Sequence, residues 1–186
     1  MNSFEDIHKE FQPKIYRYLC NLAGEGDAED LTQSVFLKVS RSLGDFRGDS
    51  SLATWIYRIA TNTAHDHAMS SFSRQRGTEL MFDDEGSVDD LHDPETHGTD
   101  KEYIRREMNA CIRSIVEQLP EHYRSVLVLS DFEDFTNQEI AEMLGLSLDT
   151  VKIRLHRGRT HLRNALECSC NFYRDNRNTL MCDKKQ

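Results

Sequence analysis

The chain has 186 residues, 30% of them charged and 9% aromatic, with a formal net charge of −9. That composition excludes a disordered polyelectrolyte and fits one or two small soluble, helix-rich domains. No apolar run approaches the roughly 18 residues that span a bilayer, so no membrane insertion is expected. The opening "MNSFEDIHKEF" lacks the basic flank and apolar core of a secretory signal. Five cysteines, an odd number with three in the last 19 residues, argue against a secreted disulfide framework. A reduced, cytoplasmic protein is the expectation.

In chain order, "FEDIHKEFQPKIYRYLCNLA" sets Phe4, Ile7, Phe11, Ile15, Tyr18 and Leu22 at three- and four-residue steps, the period of a helix buried on one face. Pro13 should bend or restart it. "GDAEDLTQSVFLKVSRSLGDF" repeats the pattern with Ala28, Leu31, Val35, Val39 and Leu43. A third helix follows Gly48, with Ser50 or Ser51 as its N-cap. Trp55, Ile56, Ile59, Ala60 and Thr63 form its inward face, which leaves Tyr57, Arg58, Thr61, Asn62 and His65 outward.

Residues 77–100 contain no Lys or Arg but nine acids: Glu79, Asp83, Asp84, Glu85, Asp89, Asp90, Asp93, Glu95 and Asp100. With three Gly, a Pro and no helical period, this stretch reads as a flexible acidic linker. The expected organisation is a helical domain over 1–76, the linker over 77–100, a second helical domain over 101–167 and a cysteine-containing tail over 168–186.

The second domain runs through "DKEYIRREMNACIRSIVEQL" and, after Pro120, "EHYRSVLVLSDFED". Next comes "TNQEIAEMLG", where Thr136 and Glu139 form a T-x-x-E capping box and Gly145 closes the helix. Ser147 then caps a further helix, so the pair forms a helix-turn-helix. Within it, Lys152, Arg154, Arg157, Arg159 and Arg163 follow one another with no acid between them, in a chain that is acidic overall. At 100° per residue, Leu148, Val151, Leu155, Gly158 and Leu162 fall within about 80° of arc, the core stripe. Ile153, Arg157 and Thr160 lie opposite, with Lys152 and His156 on one shoulder and Arg154 on the other side, nearer the core. An isoleucine centred among cations on a solvent-facing surface suits a major-groove helix. There Arg and Lys meet guanine edges or phosphates, and an apolar group meets a thymine methyl.

"LPEHYRSVLVLSDFEDFTNQEIAEMLGLSLDTVKIRLHRGRTHLRNAL" resembles region 4, the −35-reading domain, of bacterial sigma factors. "DAEDLTQSVFLKVSRSLGDFRGDSSLATWIYRIATNTAHDH" resembles region 2 of the same proteins. Two such domains joined by a linker are the organisation of the extracytoplasmic-function (ECF) group of the sigma-70 family. The resemblance implies an all-α fold of two small domains, the second with a helix-turn-helix, and a function without catalysis: binding core RNA polymerase and promoter DNA, under an anti-sigma factor. It places −35 contacts on Lys152, Ile153, His156 and Arg157, with Arg154 flanking them. It places −10 contacts on the loop Phe46, Arg47, Gly48, Asp49, Ser50 and Ser51 and on Trp55, Tyr57, Arg58 and Asn62. Polymerase docking falls on Asp27, Asp30, Gln33 and Phe36. No cofactor is required by the resemblance. The tail departs from many relatives, and Cys168, Cys170 and Cys182 could supply thiolates to zinc or another soft metal. Two other readings fit parts of the pattern: an output-domain transcription regulator, which needs a receiver domain upstream, and a polymerase-binding adaptor that does not read DNA.

Overall fold

The computed structural model describes residues 3–76, 111–174 and 180–184. The acidic stretch 77–100 and residues 101–110, where the sequence reading begins the second domain, lie outside them. Helix α1 (Phe4–Ala23) opens on a capping box: Ser3 Oγ accepts from the Asp6 N–H, and the Asp6 carboxylate accepts from the Ser3 N–H, both at 3.2 Å. Ile7, Phe11, Ile15, Tyr18, Leu19 and Leu22 form its buried stripe. The helix runs through Pro13 without restarting. Pro13 and Lys9, whose carbonyl loses its donor, both lie on the exposed side, where water can serve that carbonyl.

Gly24, at φ 90°, turns the chain into α2 (Glu25–Ser42), which buries Ala28, Leu31, Val35, Phe36 and Val39. A 3-10 turn (Leu43–Asp45) and the loop to Ser51 lead into α3 (Leu52–Arg76). Ser51 is the N-cap, its Oγ accepting from the Thr54 N–H at 3.0 Å. α3 packs on both α1 and α2, and Tyr18 and Thr61 share a buried hydroxyl hydrogen bond of 2.8 Å between them.

The second domain contains helical residues 111–117 (α4), then α5 (Glu121–Asp131), α6 (Asn137–Leu144) and α7 (Leu148–Ser169). The Thr136–Glu139 capping box is present, Gly145 is left-handed at φ 62°, and the Leu146 N–H closes back on the Ala141 carbonyl. Ser147 caps α7 by accepting from the Thr150 N–H at 3.2 Å. α5 and α7 lie close because Gly158 faces α5: a β-carbon there would meet Tyr123 at 3.4 Å and Leu127 at 3.6 Å.

The tail adds an element with no counterpart in the helical reading. β1 (Cys170–Arg174) and β2 (Leu180–Lys184) pair antiparallel, with Cys170 opposite Lys184 and Phe172 opposite Cys182. The two helical domains also touch. α1 meets α5, α3 meets α6, and their buried residues form one continuous apolar cluster.

Candidate nucleic-acid interface

The second helix of the helix-turn-helix carries the surface that its periodicity foretold. Val151, Leu155 and Gly158 are buried, while Lys152, Ile153, His156, Arg157 and Thr160 are exposed. Ile153 is 51% exposed, a large apolar side chain left in solvent between cations. Leu148, expected in the core stripe, is 36% exposed at the first position of the helix. Arg154 is half-buried and lines a cleft of about 450 Å³ between the domains, with Asn62, His65 and His122.

Arg159 belongs to the same run of cations but is engaged elsewhere. Its Nε donates to Asp131 Oδ2 at 3.0 Å and its Nη2 to Ser130 Oγ at 3.2 Å, which ties α7 to the end of α5. The Asp131 hydrogen bond holds the guanidinium pKa above its ordinary value. Arg159 therefore helps fix how α7 sits on α5.

In the first domain the loop Phe46–Ser51 leaves Arg47, Gly48, Asp49 and Ser51 exposed, with Ser50 half-buried. Gly48 at φ 76° takes a conformation that side-chain-bearing residues seldom adopt. Behind the loop, the half-buried rings of Phe46 and Trp55 lie 5.1 Å apart, an aromatic shelf beside a small polar loop. Arg58 is half-buried and Asn62 exposed.

Tyr57 and Thr61 correct the outward reading of α3: they are 3% and 7% exposed. The helix is covered on a second side by the other domain, so its buried arc is wider than one stripe. The Tyr57 ring meets Phe135 at 4.7 Å, and burial raises the phenol pKa, with the neighbouring Glu133 adding to the shift.

On α2, Asp27, Asp30 and Gln33 are exposed, and Asp27 Oδ2 lies 3.8 Å from His67 Nδ1. Phe36 is a second correction. At 4% exposure, with its ring centroid 4.6 Å from that of His8, it is core and offers nothing to a partner. The exposed apolar residue is its neighbour Leu37, at 58%. It continues the line of Asp30 and Gln33 at helical spacing, a signal that the sequence already carried.

Of the three tail cysteines, Cys168 is free and exposed at the end of α7. The strand register sets Cys170 and Cys182 at nearby rungs of the hairpin. Among the described residues no group of three or more metal-ligating side chains comes together, and no helix is long and apolar enough to cross a membrane.

An all-α pair of domains, the second presenting a cation-flanked apolar face on a helix-turn-helix, defines a DNA-reading protein. Residues 7–71 match the family "Sigma-70 region 2" and residues 109–162 match "Sigma-70, region 4". The chain is 31% identical to the RNA polymerase sigma-H factor of Pseudomonas aeruginosa, over 89% of this chain and 86% of that protein. It is 31% identical to the RNA polymerase sigma factor SigZ of Bacillus subtilis, over 93% and 92%. With the ECF RNA polymerase sigma-E factor of Escherichia coli it shares 28% identity over 84% and 83%. The fold matches the sigma factor RpoE solved with the anti-sigma factor NepR from Bartonella quintana (TM-score 0.70, 19% identity, 88% of this chain and 96% of that one). It also matches CnrH solved with the cytosolic domain of CnrY (TM-score 0.61, 21% identity, 88% and 87%). The chain belongs to the sigma-70 family, as an RNA polymerase sigma factor of the ECF group. That is a family of transcription factors, and region 2 in place of a receiver domain removes the output-regulator reading.

Proposed function

We propose that this sigma factor reads the −35 element with Lys152, Ile153, His156 and Arg157. Arg154 joins them once the cleft it lines is open. The loop Phe46–Ser51, backed by Trp55, Arg58 and Asn62, takes a base extruded from the −10 element: a small polar loop against a stacking shelf lowers the cost of flipping. Tyr57 reaches that surface only when the domains part. Core polymerase docks on Asp27, Asp30, Gln33 and Leu37. The protein works in the cytoplasm, where the polymerase is. It is held by an anti-sigma factor, a reading supported by the two fold relatives solved with such partners.

The observation that carries this reading is the 51% exposed Ile153 set between Lys152 and Arg157 on the second helix of the motif. Run-off transcription with core polymerase on a pool of genomic promoters tests it. Specific transcripts should depend on the protein and fade for Lys152→Ala and Arg157→Ala. Each change should lose about 1–3 kcal/mol if the contact is bidentate to a base. Equal transcripts with wild type and Arg157→Ala would remove the proposed contact.

The tail carries a separate proposal: Cys168, Cys170 and Cys182 hold a soft metal, supported by the register that puts two of them at nearby rungs. Elemental analysis of protein purified without chelator, beside the triple Cys→Ser variant, decides it. Equal metal content in the two removes the site.

A further inference from the structure

The cleft of about 450 Å³ beside Arg154 is bordered by α3, α5 and the turn between α6 and α7. Two of its polar side chains have nothing to bind. Arg154 is half-buried, yet its guanidinium has no acceptor among the described residues. Arg124 and Arg159 of the same domain are both engaged by oxygens. Ser125, on α5, is 8% exposed, and its hydroxyl is likewise unpartnered among the described residues. The buried hydroxyls of Thr32, Thr54, Thr61 and Thr63 all find a partner. A hydroxyl taken out of water without one is costly, so Ser125 calls for an acceptor that the chain does not supply.

α5 also begins at this cleft. Pro120 is its N-cap and offers no side-chain acceptor, and the Tyr123 N–H turns back to the Pro120 carbonyl at 2.9 Å. The N–H groups of Glu121 and His122 are left open at the positive end of the helix. The rings of His122 and of His65, on α3, border the same space and each carries an N–H donor in any protonation state. Against these donors stands the Glu121 carboxylate, which also borders the cleft. Leu22, Leu144 and Leu146 supply an apolar wall. Donors gathered beside an apolar wall, in a volume of this size, make a small-molecule site.

The donors select the ligand. They come from α3, α5 and α7, so they surround an acceptor instead of lying in one plane. A carboxylate offers two coplanar oxygens, whereas a phosphate offers three that diverge, and a helix N-terminus favours it. We propose that the cleft binds a small organic phosphate, its phosphate on the first turn of α5 with Ser125, His122, His65 and Arg154, its carbon skeleton on the leucine wall. Lys152, Ile153, His156 and Arg157 do not border the cleft, so the site is separate from the DNA-facing surface and does not depend on that reading.

Isothermal titration calorimetry of the full-length chain tests this, with phenyl phosphate and inorganic phosphate as probes at fixed pH and ionic strength. Phenyl phosphate should bind saturably at one site, and inorganic phosphate more weakly. Ser125→Ala and Arg154→Ala should each weaken binding by about fivefold or more. Glu121→Gln should tighten it, and Lys152→Ala should leave it unchanged. Far-UV circular dichroism checks folding, and if Arg154→Ala is disturbed, Ser125→Ala carries the comparison. No saturable binding of either probe by wild type would overturn the site, as would binding that persists in Ser125→Ala or is lost in Lys152→Ala. Equal affinity for the two probes would overturn the apolar half of the proposal.

Discussion

Neighbouring residues in this chain have opposite duties, and the pair Phe36 and Leu37 shows how burial separates them. The sequence places both on α2, and the resemblance pointed to the aromatic one. One step along a helix turns a side chain by about 100°, enough to put Phe36 under α1 and Leu37 in solvent. Phe36→Ala should therefore lower unfolding free energy by about 3–5 kcal/mol, read by urea titration. Leu37→Ala should change it by no more than about 0.5 kcal/mol yet weaken binding to core polymerase. A stable Phe36→Ala or an unimpaired Leu37→Ala counts against this division. Arg157 and Arg159 divide in the same way. Arg159 is engaged by Asp131 and Ser130, and because that pair is largely exposed its loss should cost at most about 1 kcal/mol. Arg159→Ala should leave the preferred −35 sequence unchanged, and a selection of bound promoter variants would show whether it does.

At the scale of elements, what was legible depended on whether an element's surroundings were local. α6 and α7 could be read almost to the residue because caps and stripe lie within the motif: Thr136 with Glu139, Gly145, Ser147, then Val151, Leu155 and Gly158. Helix α1 does not restart at Pro13 because Lys9 and Pro13 face water, which can serve the carbonyl that loses its donor. Tyr57 was misread because the partner covering it, around Phe135 and Glu133, comes from the other domain, more than seventy positions along, and Thr61 because Tyr18 of α1 covers it. The hairpin at 170–184 gave little sign of itself, since each strand is only five residues long. Gly158 supplies a test of how tightly α7 is seated. An added β-carbon would meet Tyr123 and Leu127 at 3.4–3.6 Å, ordinary contact distance. A glycine inside a helix costs roughly 0.5–1 kcal/mol relative to alanine. Gly158→Ala should thus be neutral or stabilising by up to about 1 kcal/mol in urea titration, and Gly158→Leu should be destabilising, because α5 leaves no room for it.

For the whole molecule, the contact between domains is the feature least visible in sequence, since nothing in "DFEDF" says that its central Glu133 will meet Arg17 and Tyr57. Two tyrosines lie where ionisation is opposed, Tyr18 within the first domain and Tyr57 at that contact. Burial raises the phenol pKa of Tyr18 and of Tyr57 above the usual 10.0, with the Glu133 charge adding to both, more strongly at Tyr57. A pKa raised on folding means that the native chain keeps a proton which the unfolded chain gives up. The stability this contributes is complete below pH 10 and is lost as pH rises above it, at up to about 1.4 kcal/mol per pH unit for each group. Arg17 opposes the shift at Tyr57, and the hydrogen bond with Thr61 opposes it at Tyr18, but neither reverses it. Urea titrations at pH 8, 10 and 11 should therefore show unfolding free energy falling beyond pH 10. Tyr18→Phe should remove about half of the part of that slope due to these two groups. The substitution leaves the Thr61 hydroxyl its bond to the Tyr57 carbonyl at 2.8 Å, so it removes a titrating group without stranding its neighbour. If the alkaline slope is the same in Tyr18→Phe as in wild type, burial at the centre of the first domain is not what keeps that phenol protonated, and the packing of α1 against α3 is looser than the 2.8 Å Tyr18–Thr61 hydrogen bond implies.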